Sequence, residues 1–169
     1  MQTLAAVLKA RLCLEVHTPL KSDCGSYCDS ACCRSGEAGS GMLLFPREEE
    51  LYSVMPAGFS ISQSSAVPGA LLLSCEGTCS RIKRPLACRF FPLIPYWRGK
   101  TGGIAMDVRA WPVCPLMEYG IAGLKQTFVD AAVSASRALM LTQENRDFVS
   151  GLTLHLDAYR QLHAEKGEE

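Results

Sequence analysis

The sequence has no charge excess of either sign, few histidines and no long apolar run. Seventeen Lys and Arg balance seventeen Asp and Glu. No whole-chain field is therefore available to gather nucleic acid, an anionic membrane or acidic substrates. Nowhere do about 18 apolar residues follow one another, so no segment is predicted to span a bilayer. The opening apolar residues, Leu4 to Leu8, are followed by Lys9, Arg11 and Glu15 with no small-residue cleavage site, which predicts an amphipathic helix rather than a secretory leader. A cytoplasmic protein is the expectation. Phosphate-binding glycine loops, nucleophile elbows and His-Glu-x-x-His helices are missing as well, so the usual motif routes to an enzyme are closed and no catalytic residue is assigned.

The 169 residues are 48% hydrophobic and 20% charged, a globular composition of one-domain size. Apolar Leu4, Val7, Leu8, Leu12 and Val16 predict a helix over 1–20 with those side chains inward and Cys13 within it. Residues 23–41 are small and polar and cannot build their own core. Pro46 followed by Glu48, Glu49 and Glu50 predicts a short helix ending before Pro56, with the acids complementing its dipole. Brief strands are expected at 59–62, 70–75 and 103–110. Over 119–141, Ile121, Leu124, Phe128, Ala132 and Leu139 recur at helical spacing. After a cap at Thr142, so do Phe148, Leu152, Leu156, Tyr159 and Leu162. The expected fold is a single α+β domain, mainly α, over 1–169. It combines an N-terminal helix, a small irregular metal-stabilised cysteine-rich core at 24–115 and a C-terminal helical hairpin at 119–165. The hairpin is also a possible protein-binding surface.

Cysteine is what the sequence has in excess, with nine in the chain. Eight fall into Cys24-x3-Cys28-x3-Cys32-Cys33, Cys75-x3-Cys79-x8-Cys88 and a following Cys114. Eight thiols are enough for two tetrahedral four-thiolate sites or one polynuclear centre, and thiolates select zinc, copper(I) or iron–sulfur clusters over hard cations. The spacings match neither paired zinc ribbons nor ferredoxin runs. Were 24–33 one helix, Cys24 and Cys32 would stand about 12 Å apart along its axis and serve different ions, unless Gly25 and Ser26 break it. Cys32 and Cys33 would diverge by about 100°, which suits one ligand for each of two metal positions. Reversible disulfides, Cys28 with Cys32 or Cys75 with Cys79, are the other use of these thiols.

Between 75 and 100 the chain carries Arg81, Lys83, Arg84, Arg89, Arg98 and Lys100 against the single acid Glu76. Arg84 and Arg89 bracket Cys88, where a guanidinium would offset the −2 formal charge of a zinc with four thiolates. Arg98 and Lys100 read as a solvated face. Phe90, Phe91, Tyr96 and Trp97, punctuated by prolines, read as core rather than as base-stacking platforms, so no nucleic-acid partner is expected. His17, His155 and His163 have surface or capping roles, and the donor count needs no histidine.

The vicinal Cys32-Cys33, Leu44-Phe45-Pro46 with acids after it, the second cysteine group and Arg84-Pro85-Leu86-Ala87-Cys88-Arg89-Phe90-Phe91-Pro92 together resemble the bacterial YkgJ-type cysteine-cluster family, also described as a zinc- or iron-chelating domain. The resemblance covers about residues 24–115, and this chain has x3 spacings where x2 is usual before the vicinal pair. It implies a cysteine-ligated metal with Cys24, Cys28, Cys32, Cys33, Cys75, Cys79, Cys88 and Cys114 as ligand candidates, and no particular reaction. The expected cofactor is zinc, with iron or an iron–sulfur cluster as the alternative. The corresponding functions are a structural or chelating metal protein or, alternatively, an electron carrier or redox sensor.

Overall fold

A computed structural model describes residues 2–34, 41–65, 67–77 and 79–165, with the backbone alone at 34 and 163–165. The glycine- and serine-rich 35–40, the His163 side chain and the acidic end 166–169 lie outside the described residues. The chain runs through helix α1 (Thr3–Cys13), one-turn helices α2 (Gly25–Cys28) and α3 (Ala31–Arg34), strand β1 (Met42–Leu43) and a 3-10 turn at Glu48–Tyr52. Strands β2 (Phe59–Gln63) and β3 (Leu71–Cys75), helix α4 (Leu86–Phe90) and strands β4 (Leu93–Arg98) and β5 (Thr101–Met106) follow. A 3-10 turn at Pro115–Tyr119 leads to helices α5 (Gln126–Leu139) and α6 (Gln143–Glu165). The mixed α+β class expected from the sequence is present. No helix among the described residues is long and apolar enough to cross a membrane.

Two antiparallel sheets form. In the first, β3 lies between β1 and β2, with Ile61 opposite Leu73 and Phe59 opposite Cys75. The second is a β4–β5 ribbon turning at Gly99, whose φ of +62° favours glycine. Pro92 and Pro95 argue against a strand over 93–98, and no strand was expected there. A two-stranded ribbon has only edges, so Pro95 opposite Ile104 interrupts no central ladder. The Trp97 backbone N–H, directed away from that ladder, donates to Thr153 Oγ1 of α6 at 3.0 Å.

Three helical expectations change. The first helix is shorter than 1–20 and turns a different face inward. Ala6, Val7, Ala10 and Leu14 are fully buried, while Leu12 is 73% and Val16 82% exposed. The cause is the partner, because α1 packs on α5, whose Ala131, Ala132, Ala135 and Ala138 lie in the same core cluster as Val7, Ala10 and Leu14. Alanine facing alanine lets the two backbones approach more closely than a leucine seam allows. The helix expected at 119–141 starts only at Gln126, because Gly120 takes a φ of +60° between two 3-10 turns. Phe128, Ala132 and Leu139 face inward as the periodicity requires. Finally, α5 and α6 do not close into a hairpin, since α5 rests on α1 and the ribbon while α6 rests on β4. Thr142 offers Arg146 its carbonyl, and its buried hydroxyl makes no cap.

The main core joins α1, α4, α5 and the start of α6 around Phe90, Phe128, Leu86 and Leu139. Phe45, preceding the 3-10 turn, packs between Phe90 and Phe148 with ring centroids 6.3 and 5.4 Å away. Phe90 is thus core, and Phe91 and Trp97 pack against the same cluster. Arg98 lies over the Tyr96 ring and pairs with Asp157 of α6 on the exposed side.

Candidate metal centre

The vicinal cysteines reach the site through a reversal that the sequence did not reveal. Asp29 and Ser30, with φ of 51° and 54°, both take the left-handed conformation and separate α2 from α3. The helix therefore breaks at Asp29-Ser30 rather than at Gly25-Ser26, and α3 returns Cys32 toward α2. A cavity of about 20 Å³ is lined by Cys24, Cys28, Cys32 and Cys114. A larger one of about 430 Å³ is lined by Cys33, Cys75, Cys79 and Cys88, and also by Cys24 and Cys32, above an apolar floor that includes Phe45 and Leu93. All eight candidate ligands thus border two adjoining cavities. Cys13 instead packs at the edge of the main core.

The elements hold these thiols with unequal firmness. Cys88 sits on α4 between fully buried Leu86 and nearly buried Phe90. Cys114 is 7% exposed; the Met117 N–H donates to its carbonyl at 3.1 Å, and the neighbouring N–H groups of Leu116 and Met117 favour its thiolate. Backbone N–H groups near a thiolate stabilise its charge. By contrast, Cys32 and Cys75 are exposed, and α2 contributes no buried residue. Cys28 donates to the Cys24 carbonyl at 3.7 Å and Cys75 to that of Gly77 at 3.4 Å.

Electrostatics register the crowding. Burial, then Asp23 and the thiols of Cys28 and Cys114, push the Cys24 thiol up. Burial pushes Cys88 up, with Cys79, Cys33 and Cys75 adding to it. Cys79 is raised by burial against the pull of Arg84, and Cys114 by burial against those two N–H groups. In the vicinal pair the shared hydrogen bond keeps the proton on Cys32 and lowers Cys33 to about 6, with Arg84 assisting. Gathering several thiolates in so small a volume is unfavourable until a cation offsets their charge.

Arg84 is a cation that faces several of them. Burial pulls its guanidinium down, but the hydrogen bond to Cys79 and the nearby thiols of Cys33 and Cys88 raise it overall. Its Nε is buried with no hydrogen-bond partner. Arg89, the other arginine expected to offset thiolate charge, is 4% exposed and is taken up elsewhere. It pairs with Glu15 and donates to the carbonyls of Arg81, Ile82 and Arg84. Arg89 thus positions the turn that carries Arg84.

Sequence reasoning missed two anchors of this turn. Arg81 donates to the carbonyls of Leu14, Glu15 and His17 past the end of α1. Those carbonyls stand at the open C-terminal end of the helix, where a cation suits them. Glu48, read as one of three dipole-complementing acids, is instead fully buried. It accepts from Arg11 Nη1 and the Leu86 N–H at 2.7 Å each and from the Phe45 N–H at 3.1 Å. The carboxylate therefore ties α1 to the segment entering α4. Burial pushes its carboxyl up, and Arg11 with the two N–H groups pulls it part of the way back.

Among the described residues, no group of three or more His, Cys, Asp or Glu stands close enough together to hold a metal ion. The thiols converge on shared cavities without closing to ligand distance. In kind and number the donor set fits a thiolate-bound metal, and the partnerless Arg84 Nε is a donor suited to an additional sulfur or other anionic acceptor. No family model matches the chain, and no curated protein or solved structure matches it either.

Proposed function

We propose that this chain is a metal-binding cysteine-cluster protein of the YkgJ type, with zinc, or alternatively iron, held by thiolates from its eight clustered cysteines. One observation carries the reading. Eight of the nine cysteines, drawn from segments as distant as 24 and 114, border two adjoining cavities beside an arginine with an unpartnered nitrogen. A small hydrophobe packed at the edge of a core explains one such cysteine, as at Cys13, but not eight around shared space.

When bound, the metal would supply cross-links between segments that share little apolar surface. Arg84 would offset the negative charge of the thiolate shell, and the N–H groups of Leu116 and Met117 would favour the Cys114 thiolate. Structural zinc contributes about 10–16 kcal/mol of apparent binding free energy in small peptides, comparable with the stability of a whole domain. The role is structural or chelating, with no catalytic residue assigned.

Elemental analysis with an absorption spectrum on anaerobically purified, tag-free protein tests the reading. Zinc in stoichiometric amount without visible bands is the expected result. Iron with acid-labile sulfide, and bands that bleach with dithionite, would move the function to electron transfer or redox sensing. Protein free of both metals that also fails to take up added zinc or iron would overturn the metal reading.

A further inference from the structure

We propose that the eight thiols divide four and four: Cys24, Cys28, Cys32 and Cys114 at one metal position, and Cys33, Cys75, Cys79 and Cys88 at a second, the vicinal pair sending one sulfur to each. This division rests on the metal reading above and goes beyond it by assigning every ligand.

Four geometric observations separate the sets. The smaller cavity is lined by the four cysteines of the first set and by none of the second. The same cavity is also lined by Tyr27 of α2, the helix that carries Cys28 with Cys24 at its entry, and by Pro115 and Leu116 of the turn that begins after Cys114. On the other side, the Cys33 carbonyl lies 3.7 Å from the position a Cβ would take at Gly77, so the end of α3 rests on the turn joining Cys75 to Cys79. Between the two, the left-handed pair Asp29-Ser30 folds α3 back on α2, and adjacent side chains on α3 then diverge by about 100°. Cys32 is carried toward Cys24 and Cys33 toward Cys79.

Each set also has the same construction. One ligand is fixed by the core, Cys114 in the first set and Cys88 in the second. One lies at the exposed rim, Cys32 in the first and Cys75 in the second. A metal at either position would fasten lightly held segments to one anchored sulfur.

Cobalt(II) added anaerobically to the full-length chain reads the division, with bound cobalt counted by elemental analysis and thiolate ligation by its absorption bands. Wild type is expected to bind two ions. The pairs Cys28→Ser with Cys114→Ser, and Cys79→Ser with Cys88→Ser, each empty one position and leave one ion at undiminished affinity. The crossed pair, Cys28→Ser with Cys88→Ser, weakens both ions by more than the roughly tenfold that losing an outer partner costs. A within-set pair that releases both ions, or a crossed pair that keeps one at full affinity, would overturn the division. Alkylation of wild type at increasing cobalt gives a second readout that needs no variant. Cysteines gaining protection together should belong to one set, and protection that mixes the sets at substoichiometric cobalt would contradict it. Wild type that takes up no cobalt sinks the metal reading itself, whereas one ion bound per chain sinks only the division.

Discussion

The helical scaffold and the thiol region solve the problem of order differently. In the scaffold, α1, α4 and α5 bury Val7, Leu14, Leu86, Phe128 and Leu139 completely. Apolar area removed from water, worth about 25 cal/mol per Å², holds those elements together. In the thiol region, α2 buries no residue, Tyr27 is 57% exposed, and Cys32 and Cys75 lie at the surface. Its order must come from polar ties and, on the present account, from metal. The seam is charged. Glu48 with Arg11, and Arg81 and Arg89 with the end of α1, fix the turn carrying Arg84 onto the scaffold. The contrast teaches that packing orders only some of the cysteine positions, and the proposed ion would close the remainder.

Phe128→Ala should strike the scaffold hardest, lowering stability by about 3–5 kcal/mol in urea titration, because a fully buried ring leaves a cavity in the main core. If metal were the sole organiser, loaded protein would hardly notice this change. Glu48→Gln breaks the seam instead. It leaves Arg11, only 11% exposed, without its carboxylate, and gives the Leu86 or Phe45 N–H a facing amide donor. The expected loss is about 3 kcal/mol. Arg98→Ala, at the exposed pair with Asp157, serves as the control and should cost under about 1 kcal/mol. Equal effects at Glu48 and Arg98 would dissolve the distinction between seam and surface.

What the sequence made legible follows from the range of each signal. Residue type and number pointed to the eight cysteines, since thiol chemistry is written in the residues themselves. Helical periodicity found Phe128, Ala132, Leu139, Leu152 and Leu156, because an inward stripe is a local pattern. The same rule found Val7 at the start of the chain but failed at Leu12 in α1 and Val16 beyond it, which are turned outward while Ala6 and Ala10 are buried beside α5. Burial of Glu48 depends on N–H groups from Phe45 and Leu86 and on Arg11 from another helix, so nothing local in the acidic run distinguishes it from Glu49 and Glu50. The reversal at Asp29-Ser30 was hidden because left-handed backbone is uncommon outside glycine, although Asp tolerates it better than most residues. Strand β4 was masked by Pro92 just before it and Pro95 within it, the latter a residue that only an edge accepts.

Hydrogen exchange on metal-loaded protein, before and after chelation verified by elemental analysis, tests the contrast most directly. Amides in 24–34 and 75–79 are expected to lose protection on metal removal while those of α1 and α5 keep it. Unchanged protection across 24–34 and 75–79 in metal-free protein would contradict that expectation.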